Sequence, residues 1–154
     1  MDQASFTDAD GIEVGYRRWL PAGDVSAVVL VLHGASEHGG RYDRFAQALL
    51  AEGWAVYAPD HRGHGLTSPS TGRGIAGPRG FDGVVDDVEE LRALALGECG
   101  DVPVLMFAHS MGSIIGFGYV QRYGAGLAAC VLSGAIGAAE GVAELAEGLR
   151  QAAE

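Results

Sequence analysis

The sequence predicts an α/β domain built on a mostly parallel sheet, with an antiparallel hairpin at its amino end. Two observations carry this. Continuous apolar runs alternate with segments whose apolar residues recur at helical spacing. Glycine, at 25 of 154 residues, gathers in the turns between them and follows no G-X-Y period. Such alternation is the mark of parallel strands joined by helical crossovers.

The elements follow in order. Residues 5–20 alternate loosely around Asp8-Ala9-Asp10-Gly11, and Asp-Gly between extended segments predicts a hairpin. Pro21-Ala22-Gly23-Asp24 reads as a turn. Ala27–Leu32 is an unbroken apolar run, suited to a strand buried on both faces. Arg41–Glu52 carries Tyr42, Phe45, Leu49 and Leu50 at helical spacing, and Gly53 ends that helix. Trp54–Ala58 is a second buried strand, stopped by Pro59. Residues 60–80 form a long loop rich in Gly, Pro, Ser and Arg, and a loop of that length is usually functional or mobile. Phe81–Leu96 is an amphipathic helix with Asp86, Asp87, Glu89 and Glu90 on its solvated side. Val102–Ala108 reads as a buried strand, Met111–Tyr123 as a helix and Leu127–Leu132 as another buried strand. A last helix is predicted over Glu140–Ala153.

Composition excludes several classes. An apolar fraction of 48% with 19% charged residues is incompatible with intrinsic disorder. Ten basic residues, all arginine, face 20 acidic ones with no clustered positive patch, so nucleic acid is not an expected partner. Lysine and asparagine are absent, which removes any N-glycosylation sequon and fits the GC-rich coding of a bacterium. Cys99 and Cys130 are too few for a disulfide scaffold and read as core or near-core residues. Met1–Ser5 lacks a basic start leading into an apolar stretch, and no apolar run approaches a membrane span. A soluble, cytoplasmic protein is the expectation.

In such sheets, ligands sit at the carboxyl ends of the strands. Three segments with unusual residues lie there. Phe107-Ala108-His109-Ser110-Met111-Gly112, between a strand and a helix, reads as a nucleophile elbow with Ala108 for its first glycine. Small residues two positions either side of Ser110 are what so tight a turn requires. The alternative is a plain helix cap, because serine is a preferred cap. His33-Gly34-Ala35-Ser36-Glu37-His38-Gly39-Gly40-Arg41-Tyr42 follows the first buried strand. Acyl transfer needs two backbone donors for an oxyanion, and these segments offer the N–H groups of Met111 and Ala35. His33, Gly34, Ala108, His109 and Gly112 would support the site. Asp60-His61-Arg62-Gly63-His64-Gly65 reads as a structural turn bracing the site floor.

With these segments in this order, the chain resembles α/β-hydrolases of the monoacylglycerol lipase and lysophospholipase type. The resemblance runs from about Ile12 to about Ile136 and rests on HGASEHGGRY, PDHRGHGLTS and AHSMGS. It implies the α/β-hydrolase fold, Ser110 as nucleophile, Ala35 and Met111 as oxyanion donors, and a small-molecule ester or lipid as substrate. It implies no metal or other cofactor. Departures are mild: Ala108 replaces a glycine, Ser113 stands where a second glycine is common, and Ser36 replaces a frequent glycine.

One departure is larger. The family's triad runs Ser, Asp, His along the chain, yet no Asp or His follows Ser110 here. Residues 1–136 therefore read as the amino-terminal part of a hydrolase core, truncated before the last strands. Residues 137–154 read as the start of a helical cap. Three outcomes are open: a serine ester hydrolase whose Asp and His lie elsewhere, a catalytically incompetent fragment or pseudoenzyme, and a half completed by another chain docking at the strand near 127–132. Rival motifs fail on context. Gly72-Arg73-Gly74-Ile75-Ala76-Gly77 has dinucleotide spacing but follows no strand. The H-x-x-x-E-H run from His33 to His38 has the wrong spacing for zinc, and its glycines oppose a helix.

Overall fold

The computed structural model describes residues 1–135. Its sheet has the strand order β1-β2-β4-β3-β5-β6. Strands β1 (Asp2–Thr7) and β2 (Glu13–Trp19) form the predicted hairpin, with Thr7 opposite Glu13. Strand β2 then pairs antiparallel with β4 (Trp54–Pro59). From there the pairing is parallel: β4 with β3 (Ala27–Leu32), β3 with β5 (Val104–His109), and β5 with β6 (Ala129–Ser133).

All six residues of β3 are buried, because helices cover both faces of the central strand. Alternation sends Val28, Leu30 and Leu32 to one side. There they meet Val85, Val88 and Leu91 of α3 (Gly80–Cys99) and Ile115 and Tyr119 of α4 (Met111–Tyr123). Val29 and Val31 go to the other side, with Trp19, Val56 and Ala46 of α1 (Asp43–Leu50). The Trp19 indole N–H also donates to Asp43 at 2.8 Å, fixing the start of α1.

The structure departs from the sequence reading at five points. The helix expected from Arg41 opens as a 3-10 turn at Gly39–Tyr42 before becoming α-helical. The loop 60–80 contains a 3-10 turn at Gly65–Thr67 and a short helix, α2 (Ser68–Thr71), with Pro69 in its first turn, where proline costs no hydrogen bond. Strand β6 is mostly exposed, because among the described residues only β5 pairs with it. Cys130 on β6 is consequently exposed and not near-core, while Cys99 is half-buried. Asp87 does not face solvent but is buried against Arg62. The predicted helix over 140–153 and the proposed cap segment lie outside the described residues. No helix among the described residues is long and apolar enough to cross a membrane.

Candidate active site

The site is assembled where the loops after β3 and β5 meet. Ser110 sits between β5 and α4 with φ +53° and ψ −116°. Among the described residues only Ser110 and Ser36 combine a side chain with positive φ. That conformation is costly for an L-residue and persists only where the surroundings impose it. Here they do. The Ser110 N–H donates to the Ser133 carbonyl at 2.9 Å, and the Ser113 N–H donates back to the Ser110 carbonyl at 2.8 Å. The cap reading fails, because the Ser110 hydroxyl makes no capping hydrogen bond.

The small residues around Ser110 are explained by contact. Ala108 is fully buried against α4. A Cβ on Gly112 would lie 2.3 Å from the Leu32 carbonyl oxygen and 2.8 Å from that of His33. The first turn of α4 thus rests directly on the end of β3. Ser113 is buried, and its hydroxyl lies within 2.9 Å of the Ala108 carbonyl and 2.8 Å of the Ser133 carbonyl. A serine rather than a glycine there ties α4 to β5 and β6. The His109 ring packs beside Gly34 and Gly134.

Gly34 brings the β3 loop to Ser110: a Cβ on it would lie 3.3 Å from the Ser110 Cβ. The N–H groups flanking Ala35 are both taken by side chains. The Gly34 N–H donates to Glu37 at 3.1 Å, and the Ser36 N–H donates to His64 Nε2 at 3.3 Å. The exposed Ala35 has no acceptor for its N–H among the described residues. Met111 opens α4, so its N–H has no intrahelical acceptor. Two unengaged backbone donors therefore border the serine. Sequence reasoning missed Glu37 and His64, which satisfy the neighbouring N–H groups. The signal available was weak, because a side chain reaching a backbone N–H leaves no spacing rule.

Burial pushes the Glu37 carboxyl up, but the Gly34 N–H, the Tyr42 hydroxyl and Arg41 outweigh it and hold it below its ordinary value. Tyr42 is pushed up to about 12, by burial and then by Glu37, and so remains a donor to that carboxylate. Because His64 Nε2 accepts from Ser36, the network assigns its proton to Nδ1, which donates to the Arg62 carbonyl at 3.1 Å.

His33 is fully buried beneath this loop. Its Nε2 accepts the His61 N–H at 3.0 Å, so Nδ1 carries the proton and donates to the Gly34 carbonyl at 2.8 Å. Burial lowers its pKa to about 4, against the opposing pull of the Gly34 carbonyl and Asp60. His61, its ring tilted against that of His33 with centroids 4.3 Å apart, is also lowered, by burial and then by the His33 and His64 rings. Both rings bind protons less readily folded than unfolded. Their contribution is complete above about pH 6.5 and is lost as pH falls through the folded values. For His33, the fall from 6.5 to about 4 corresponds to about 3 kcal/mol. Urea unfolding at pH 7 and pH 4 checks this. His33→Gln, whose amide oxygen can still accept the His61 N–H, is expected to lose about 3 kcal/mol less than wild type across that interval. An equal loss in both proteins refutes the assignment.

Two clefts border the loop. One of about 280 Å³ is mainly apolar, lined by Met111, Ile114 and Ile115 of α4 with Phe81 and Val84 of α3. The other, of about 540 Å³, is lined by Ser36, Glu37, Ser68 and Arg73. Segment 63–74 separates them, with His64 and Gly74 on both walls. Below, Asp60 is fully buried and accepts from Arg17 and the Gly39 N–H, each at 2.6 Å, and from the Leu66 N–H at 2.7 Å. Arg62 is buried among Asp8, Asp10 and Asp87. No side chain among the described residues hydrogen-bonds the Ser110 hydroxyl.

This fold is shared with known proteins. The chain matches the serine aminopeptidase S33 family (Hydrolase_4) over residues 23–153. The chain belongs to that family. It is 40% identical over 139 residues to the monoacylglycerol lipase of Mycolicibacterium smegmatis, covering 90% of this chain and 48% of that protein. It is 37% identical over 115 residues to the monoglyceride lipase of Mus musculus, covering 75% of this chain and 37% of that one. Among solved structures, a thermostable carboxyl esterase from Bacillus coagulans superposes with a TM-score of 0.87 at 33% identity, over 97% of this chain and 49% of that one. A soluble variant of the Saccharomyces cerevisiae monoglyceride lipase gives 0.72 at 27% identity, over 84% and 43%. The fold is that of the α/β-hydrolases. The S33-family chain spans about half the length of these relatives, or less.

Proposed function

We propose that this S33-family chain carries the nucleophile half of a serine hydrolase for carboxylic esters of the monoacylglycerol or lysophospholipid kind. One observation carries the reading: Ser110 is held at φ +53° at the start of α4 with its hydroxyl uncommitted. In the reaction, Ser110 Oγ attacks the ester carbonyl. The Ala35 and Met111 N–H groups receive the oxyanion, aided by the positive end of α4. The alcohol departs with a proton, leaving an acyl-enzyme that water hydrolyses. The apolar cleft beside Met111 supports an aliphatic acyl group.

A second reading is favoured by a separate observation. Among the described residues no base hydrogen-bonds Ser110, and residues 111–154 contain neither Asp nor His. Without a base, serine is a weak nucleophile. Serine proteases stripped of triad members retain only ~10³–10⁴-fold catalysis over water. The 154-residue chain alone is therefore expected to show negligible ester turnover. Adding a chain that supplies the later Asp and His strands is expected to restore turnover and fluorophosphonate labelling at Ser110. Ser110→Ala should abolish both. Label found on another residue, or turnover indifferent to Ser110→Ala, refutes the nucleophile assignment.

A further inference from the structure

The polar cleft beside the candidate oxyanion loop contains an arginine that no carboxylate among the described residues neutralises. Seven arginines form ion pairs: Arg17, Arg18, Arg41, Arg62, Arg79, Arg92 and Arg122. Among the described residues, Arg44 and Arg73 form none. Both are exposed; Arg44 lies on α1, whereas Arg73 lines the cleft of about 540 Å³. In a chain with twice as many acids as bases, an unpaired guanidinium in a cleft is conspicuous. Its neighbours present it. Gly72 (φ +86°) and Gly74 (φ +71°) bracket it in a tight loop, and a Cβ on Gly74 would meet nothing within 4 Å. Arg73 is itself exposed.

The rest of the lining suits an anion with hydroxyl groups. Ser36 and Ser68 contribute hydroxyls, the latter donating to the Gly65 carbonyl at 2.9 Å. Glu37 is the one carboxylate on the wall. Its charge is engaged by Arg41 at 3.2 Å, the Gly34 N–H and the Tyr42 hydroxyl. Among the described residues, Arg73 therefore remains the uncompensated charge on this wall. Ser36 and Glu37 also place the cleft next to Ala35, on the far side of segment 63–74 from the apolar cleft.

The geometry points to a head-group subsite in this cleft for a phosphate-bearing glycerol moiety, with Arg73 as its charge partner. This rests on the ester-hydrolase reading and deepens it: the apolar cleft takes the acyl chain and the Arg73 cleft takes the head. A guanidinium matches phosphate oxygens in both charge and geometry. The former dinucleotide-like run around Arg73 thus gains a use without a nucleotide.

Binding tests this without requiring turnover. The 154-residue protein is titrated with sn-glycerol 3-phosphate, glycerol and inorganic phosphate, followed by backbone NMR shifts. Saturable binding of glycerol 3-phosphate is expected, with shifts at Ser36, Ser68 and Gly74 and marked weakening at about 0.5 M salt. Glycerol should not saturate. Arg73→Gln should weaken glycerol 3-phosphate about tenfold, while Arg44→Gln leaves it unchanged. Equal affinity for glycerol and glycerol 3-phosphate overturns the proposal, as does indifference to Arg73→Gln. Inorganic phosphate binding as tightly as glycerol 3-phosphate also overturns it, in favour of a free-phosphate site. Ser110 takes no part in these measurements, so failure here and failure of Ser110 labelling are separate results.

Discussion

Replacing Arg62 with methionine is expected to cost about 3–5 kcal/mol of stability at pH 8. All five of its N–H donors are used. Nε and Nη2 grip Asp87 at 2.7 and 3.0 Å, Nη2 also reaches Asp8 at 2.6 Å, and Nη1 reaches Asp10 at 2.7 Å and the Ala76 carbonyl at 3.2 Å. Asp8 and Asp87 are buried, so methionine would strand two carboxylates without a counter-charge. The distribution of that cost over pH identifies it. Burial already raises the Asp87 carboxyl to about 6, while Arg62 opposes the rise. Losing Arg62 raises it further. A carboxyl raised on folding favours the folded state below its unfolded value and loses that contribution as pH rises through its folded value. The variant should therefore recover part of its deficit at pH 5. Urea unfolding of both proteins at the two pH values decides it. A deficit independent of pH would mean that lost packing, and not stranded charge, is the cause.

Gly112→Ala is expected to cost about 3 kcal/mol and to remove any reactivity of Ser110. The added carbon would lie 2.3 Å from the Leu32 carbonyl oxygen, part of a central strand that cannot retreat. Helix α4 must back away instead, carrying the Met111 N–H with it. Gly97→Ala is the control. A Cβ at Gly97 meets nothing within 4 Å, and the residue lies inside α3. There the same substitution should stabilise by about 0.5–1 kcal/mol, because alanine favours helix and glycine does not. Thermal unfolding of the two variants should shift in opposite directions. A neutral Gly112→Ala would mean that α4 does not bear on β3.

Much of this was legible in the sequence, for identifiable reasons. Ala27–Leu32 announces its two-sided burial because β3 has helices on both faces and no polar residue is tolerated there. Ala108, Ser110 and Gly112 are readable because a tight turn constrains residue size at fixed spacing. Other features escaped because they depend on what comes into contact in three dimensions. Leu127–Leu132 has the composition of a core strand, yet β6 is exposed because only β5 covers it among the described residues. Asp87 has the composition of a solvated helix face, but it is buried because Arg62 reaches it from 25 positions away in sequence. Glu37 and His64 were silent for the same reason: each meets a backbone N–H, which any residue could offer.

The two serines at positive φ, 36 and 110, face different futures under a screen for heat resistance alone. Glycine would relieve the backbone at either position, worth of the order of 1 kcal/mol each. At 36 the swap leaves the Ala35 main chain in place and removes only a hydroxyl from the wall of the polar cleft. At 110 the same swap deletes the hydroxyl proposed as the nucleophile. Thermal selection and the proposed acyl-transfer role agree at one serine and conflict at the other.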